Sequence, residues 1–292
     1  MTRQNYPSPR RPVLDDSKVL AHRRFHGLER GVRALSGARG VWVIHPPGQV
    51  IGEHSHDWPY LMLPALGDYV ERDDTGEARI AGPATVLHPA GACHANCIGM
   101  HGMEGLSIEF DPAWARLAGL ELASHGAQAW VGGPVASSAR ALAALWRDTS
   151  SSDAEVTKAT AAFLRFAFAQ EKATPPKWLG DVQRLLDADE PPSTAEIARR
   201  LDLHPAWLAR SYREATGEGL HETLRRKRLE RATLLLRNSD SPPADIALAA
   251  GFCDQSHMIR GFKAVLGRTP LEVRAERDYL YCPELLSVTG SK

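Results

Sequence analysis

Residues 246–262, IALAAGFCDQSHMIRGF from Ile246 to Phe262, decide how the C-terminal part of this chain folds. Apolar side chains run at helical spacing through Ile246-Ala247, stop at Gly251, and resume through Met258 and Phe262. A small residue inside the first helix lets a second one cross closely, and glycine takes the left-handed conformation of a sharp turn at little cost. The same text occurs earlier. Ile197-Ala198 stands four residues before Asp202, as Ile246-Ala247 stands four before Gly251. Leu203 and Phe252 follow the two turns, and Leu208-x-Arg210-x-Tyr212 matches Met258-x-Arg260-x-Phe262. Any short helical hairpin can mimic one such unit, but two copies offset by 49 positions form a specific pattern.

Outward from this repeat, the text stays helical over about 178–187, 194–201, 205–215, 220–238, 243–250, 255–265 and 270–278. Ser193 with Glu196 forms a capping box, Pro205 suits a first helical turn, and Gly217 and Gly251 end helices. The bridging helix from Leu220 to Asn238 spans roughly 28 Å at about 1.5 Å per residue. That length can hold two recognition helices about one DNA turn, roughly 34 Å, apart.

Upstream, Ala173-Thr-Pro-Pro-Lys177 interrupts the helical pattern and marks a domain boundary. Before it, an Ala/Leu-rich helix from Ser137 to Asp148 and a second helix opened by the Ser152–Glu155 capping box make a hairpin. Val156, Ala159, Phe163, Phe166 and Gln170 line one stripe of that second helix. From Phe25 to Phe110 the runs VWVIH, Tyr60–Leu63, ARIAG, ATVLHPAG and GLSIEF read as strands of an antiparallel sheet, closing into a small barrel or sandwich. The predicted organisation is a flexible arm over 1–17, a sensor domain with its hairpin over 18–172, and an all-α domain over 177–292. The fold class is therefore α+β and multidomain.

The stretch from Thr194 to Arg274 resembles the DNA-binding domain of the AraC/XylS family of transcription regulators, with Lys263, Gly267 and Thr269-Pro270 completing the pattern. His204 stands where that family commonly has Ser, and Met258 where it commonly has Phe. The resemblance implies double-stranded DNA as partner, with base-edge contacts from Ala206, Ala209 and Arg210 in the first unit and Gln255, Ser256 and Arg260 in the second. Chemistry agrees in part: arginine can reach guanine in bidentate fashion and glutamine adenine, while alanine offers only a methyl contact to thymine. Arg213, Lys263 and Arg268 suit phosphates. Trp207, Leu208, Tyr212, Phe252 and Phe262 are expected in the core. The resemblance also implies RNA polymerase as a partner and a homodimer, placed on the hairpin helices between Val135 and Gln170.

Charge does not argue against this. The chain carries 35 basic and 35 acidic residues, so no global field drives it onto nucleic acid, but residues 193–277 hold 15 basic against 11 acidic. The N-terminus lacks the apolar stretch of a secretory signal, no run is apolar enough to span a membrane, and four cysteines without a CxxC pair make no disulfide framework. A cytoplasmic protein is expected. Neither GxSxG, GxGxxG nor a Walker loop is present, which leaves hydrolase and nucleotide-enzyme readings without support.

Half of the twelve histidines fall between His45 and His101. Gly48-(x)5-His54-x-His56 resembles the first cupin motif and Pro89-x-Gly91-x2-His94 the second. Residues two apart on a strand face one side, so His54 and His56 point inward together, and His94 joins them from a neighbouring strand. Three such imidazoles can form a divalent transition-metal site. Tyr60 stands where metal-binding cupins have Glu, and Ile98 fills the terminal position of the pattern. Cys93, Cys97 and His88 lie nearby as further donors or redox-responsive groups. The other reading is a pocket for a small organic effector, with Tyr60 and His88 in its wall. A regulator without enzymatic activity is the leading expectation, and a metal-dependent cupin enzyme fused to a DNA-binding domain is the alternative.

Overall fold

A computed structural model describes residues 19–20, 25–82, 84–120, 127–170, 176–188 and 191–277. The expected arm at 1–17, most of the 173–177 boundary and Cys282 fall outside these residues. The described residues form nine strands: β1 (Val19–Leu20), β2 (Leu28–Leu35), β3 (Ala38–His45), β4 (Val50–His56), β5 (Tyr60–Asp73), β6 (Gly76–Ala81), β7 (Ala84–His88), β8 (His94–Phe110) and β9 (Gln128–Val131). A short helix, α1 (Pro112–Leu117), precedes β9, and the hairpin follows as α2 (Gly133–Arg147) and α3 (Asp153–Phe168). The remainder is helical: α4 (Lys177–Leu186), α5 (Thr194–Arg200), α6 (Pro205–Thr216), α7 (Leu220–Asn238), α8 (Pro243–Ala249), α9 (Gln255–Leu266) and α10 (Pro270–Arg274).

The long strands β5 and β8 organise the sheet. β8 pairs with β3, β4 and β5, and β5 also pairs with β6 and β7, giving the path β1-β4-β8-β5-β7-β9. Its ends are not paired with each other among the described residues, so the sheet is open where a closed barrel was expected. β3 explains why these strands read as apolar runs. Val41 and Val43 enter an inner cluster with Tyr60, Met62 and Ile98. The alternate residues Trp42 and Ile44 enter an outer cluster shared with the helices. Both faces are covered, so polar alternation is lost.

Gly40 sits under the Trp146 ring, where an added Cβ would come 2.4 Å from the indole, so only glycine lets α2 lie this close to β3. The α3 capping box forms as predicted: Ser152 accepts from Glu155 N, and Ser152 N donates to the Glu155 carboxylate at 2.9 Å. The α3 stripe does not form a free face. Val156 and Phe163 are buried with Val135, Ala139 and Leu142 of α2, and Phe166 is half-buried beside them.

The bridging helix α7 packs on β5 and β8 as well as on its own domain. Glu104 of β8 accepts from Arg237 of α7 at 2.5 Å and pairs with Arg268. Both arginines also meet Glu276, with Arg237 donating at 2.8 Å. A second buried link runs from Gly67 N to Glu230 at 3.0 Å, with Arg226 on the same carboxylate at 2.9 Å.

Candidate nucleic-acid interface and histidine pocket

Each helix-turn-helix unit is built by the signals read in the sequence. Asp202 takes φ +52°, rare for a side-chain-bearing residue, and Gly251 takes φ +85° at the matching place. Ile197-Ala198 and Ile246-Ala247 are buried where the helices cross. His204 replaces a serine cap with its ring, Nδ1 accepting from Ala206 N at 3.3 Å, and Asp254 caps α9 by accepting from His257 N at 2.6 Å. Gly217 and Gly267 end α6 and α9 in the left-handed conformation, each at φ +69°.

The burial pattern separates core from surface on both recognition helices. Leu208 and Tyr212 of α6, and Met258, Phe262 and Leu266 of α9, are buried. Ala206, Ala209, Arg210 and Arg213 on α6, and Gln255, Ser256, Arg260 and Lys263 on α9, are exposed. Among the described residues Arg210 pairs with Glu214, at 4.0 Å, and both side chains are well solvated. Two expectations are corrected. Arg268 does not face phosphates: it is buried against Glu104 and Glu276. Trp207 is not core: it stands at the surface, 37% exposed, edge-on to Trp178 at 5.4 Å.

The second candidate lies inside the sheet. Register places His54 of β4 opposite His94 of β8, and Tyr60 of β5 opposite His88 of β7. The ring centroids of His54 and His94 are 4.3 Å apart, and Tyr60 stacks on His88 at 4.4 Å. The His54, His56 and His94 ligand atoms lie within 4.8 Å of one another, as do those of Glu71, His88 and His94. A carbonyl can only accept, so His54 Nδ1 (2.9 Å from Gly52 O) and His94 Nδ1 (3.2 Å from Ala92 O) carry the protons. Their Nε2 atoms therefore hold the lone pairs. Tyr60 donates its hydroxyl to His94 Nε2 at 3.0 Å. His88 Nε2 sits 3.0 Å from both Glu71 oxygens, leaving its buried Nδ1 without a partner.

Burial, reinforced by neighbouring imidazoles, holds His56 and His94 down at about 2, and burial also lowers His54. These rings are neutral near pH 7, the protonation state a metal ligand needs. Glu71 was missed in the sequence. It supplies a carboxylate to this cluster, although Tyr60 took the place where one was sought. Its signal was phase: Tyr69 points inward, so Glu71, two residues on, does too. Cys93 and Cys97 are exposed and belong to neither ligand group. The cavity here, lined by His54, His56, Tyr60 and Glu71 among others, measures about 40 Å³. His88 stands behind this wall, stacked on Tyr60 and His94.

Two helix-turn-helix units, each presenting an exposed polar second helix and joined by one long helix, define a double helix-turn-helix DNA-binding domain. The profile of a helix-turn-helix domain family matches residues 197–276. The chain is 38% identical over 82 residues to the transcriptional activator RhaS of Escherichia fergusonii, covering 28% of this chain and 30% of RhaS. It is 31% identical over 86 residues to the regulatory protein SoxS of Salmonella typhimurium, covering 30% of this chain and 80% of SoxS. Among solved structures, ToxT from Vibrio cholerae O395 aligns over 88% of this chain and 100% of its own, at 13% identity and a TM-score of 0.36. The chain belongs to the AraC/XylS family of helix-turn-helix transcription regulators. Its match spans under a third of the length of RhaS. No helix among the described residues is long and apolar enough to cross a membrane.

Proposed function

We propose that this chain is a sequence-specific transcription regulator that reads DNA with α6 and α9 and is controlled through the histidine pocket of its sheet. The carrying observation is the matched pair of solvated arginines, Arg210 and Arg260, at corresponding places on two capped helices whose opposite faces are buried. In this reading Arg210, Gln255, Ser256 and Arg260 meet base edges, Ala206 and Ala209 offer methyl contacts, and Arg213 and Lys263 meet phosphates. RNA polymerase as partner, a cytoplasmic location and binding as a homodimer belong to the reading through the family. The dimer contact is placed on the hairpin helices between Val135 and Gln170. The domain division at about 173–177 and the cupin-like character of the sheet are carried in the same way.

For the pocket, the donor set favours a divalent transition-metal ion as the signal. His54, His56 and His94 would hold it, with Tyr60 giving up its bond to His94 Nε2, and backbone carbonyls already orient two of the rings. The ion would supply a fixed positive charge inside the sheet, and Glu71 beside His88 would balance part of it. A cavity of about 40 Å³ takes an ion and a few waters, which disfavours an organic effector there. For the same reason the pocket lacks room for a substrate beside a metal, which disfavours the fused cupin enzyme.

The test of the DNA reading uses the full chain and duplexes selected from a random pool. Arg260→Ala should cost about 1–3 kcal/mol on selected sites and relax the preference at one base position, while Lys263→Ala should weaken selected and random duplexes alike. Equal losses for Arg260→Ala on both kinds of duplex would overturn the assignment.

A further inference from the structure

A second cavity, larger than the histidine pocket, lies elsewhere in the protein. It measures about 600 Å³, within the range of about 300–1,000 Å³ that holds small organic ligands. It opens between the outer face of β2 and β3, the α2–α3 hairpin and the end of α9. Trp42, Leu106, Trp146 and Leu266 supply its apolar wall, Arg30, Arg33, Arg147 and Arg268 its cationic groups, and Thr149, Ser151 and Ser152 further hydroxyls. Asp153 is the one acidic residue among those lining it, and it is paired with Arg33 at 3.0 Å. The wall is thus cationic and aromatic at once.

The four arginines are not equally committed. Arg33 is held by Asp148 O at 3.0 Å and by Asp153, and Arg268 by Glu104 and Glu276. Arg147 lies over the Trp42 ring, 5.3 Å from its centroid, and donates to Val265 O. Arg30 differs: among the described residues its one ionic contact is from Nε to Glu276 at 3.3 Å. That carboxylate already serves Arg237 and Arg268. Glu104 and Glu276 therefore face three guanidinium groups, and the excess positive charge borders the cavity at Arg30.

We infer that this cavity is a binding site for an organic anion with a flat apolar body, distinct from the histidine pocket. Its acidic head pairs with Arg30 and its body lies against Trp42 and Trp146. An anionic head balances the surplus charge, and a planar body suits a wall of two indoles, one with a guanidinium stacked on it. Because Leu266 and Arg268 come from the second helix-turn-helix unit and the rest of the wall from the sensor part, a bound ligand ties the two together and favours the docked arrangement.

Naphthalene-2-carboxylate is the probe, and the neutral naphthalene-2-carboxamide its uncharged counterpart, both titrated into the full chain by calorimetry. The carboxylate should bind about tenfold or more tightly than the amide, the worth of a charge-assisted hydrogen bond. Arg30→Gln should abolish that preference. Val32→Glu, at an exposed position on the cavity rim, adds a negative charge without disturbing the core and should weaken the carboxylate severalfold while leaving the amide unchanged. Equal binding of the two probes, no binding, or carboxylate affinity untouched by Val32→Glu would overturn the site. So would loss of binding in His54→Ala/His56→Ala, which would move the ligand to the histidine pocket. None of these readouts uses DNA, so a failed base-contact assignment leaves the inference standing.

Discussion

Replacing Glu104 by Gln tests whether the buried ion cluster fastens the sensor sheet to the DNA-binding helices. Glu104 is 1% exposed and its carboxylate meets both Arg237 and Arg268, themselves buried. Neighbouring guanidiniums outweigh burial and hold its pKa below the usual carboxylate range. With glutamine the volume is kept and one negative charge is lost, so Arg30, Arg237 and Arg268 would face Glu276 alone. Removing one partner of a buried pair costs about 3–5 kcal/mol, because the partner's desolvation is no longer repaid. With a urea slope of about 3 kcal/mol per molar, the unfolding midpoint should fall by roughly 1–1.7 M. Urea titration followed by tryptophan fluorescence reads this directly. Glu104→Gln/Arg268→Met, which removes one charge of each sign, should recover most of the loss. A single-variant cost below about 1 kcal/mol, the scale of an exposed pair, would refute the role given to the cluster.

Other outcomes follow from the same geometry. In chelator-treated protein, stability should fall between pH 7.5 and 5.5: the folded chain keeps His45 at about 4 and His56 and His94 at about 2. Unfolded histidines take up protons below about 6.5, so each costs about 1.4 kcal/mol by pH 5.5, about 4 in all. Glu104 and Glu230, lowered in the fold, lose their contribution only below their unfolded range near pH 4.5, so they do not confound this window. An unchanged urea midpoint between the two pH values would contradict neutral burial of these rings. Elemental analysis of protein purified without chelator or affinity tag should find a transition metal that His54→Ala/His56→Ala loses, and equal content in both would remove these histidines from the metal role. Gly40→Ala should destabilise by at least about 1–3 kcal/mol, because its methyl would overlap the Trp146 ring in a filled core; a thermal midpoint within a degree of the parent would refute the close approach of α2.

Much of the DNA-binding half was legible in the sequence because its determinants are local. The left-handed turns at Asp202 and Gly251, the cap at Ser193 and the three- and four-residue apolar spacing each involve neighbours within a few helical turns. Backbone sterics and cap hydrogen bonds fix these features whatever lies beyond them. The pairing of His54 and His56 was equally local, since strand geometry alone puts alternate residues on one side.

Tertiary structure decided the rest. An arginine's text is the same whether it faces a phosphate or a carboxylate, and only the fold brings Glu104 to Arg268 from 164 positions away. Glu71 joined the histidines because β5 continues far past Leu63, a length set by its pairing with β8 and not by its own residues. The α3 stripe was correctly read as apolar, yet hydrophobicity carries no direction, and packing against α2 turned it inward. The arginine- and tryptophan-walled cavity has no sequence signature, since its walls come from four separated parts of the chain. Local sterics wrote the helices and turns into the sequence; long-range register and charge pairing assigned their side chains to partners.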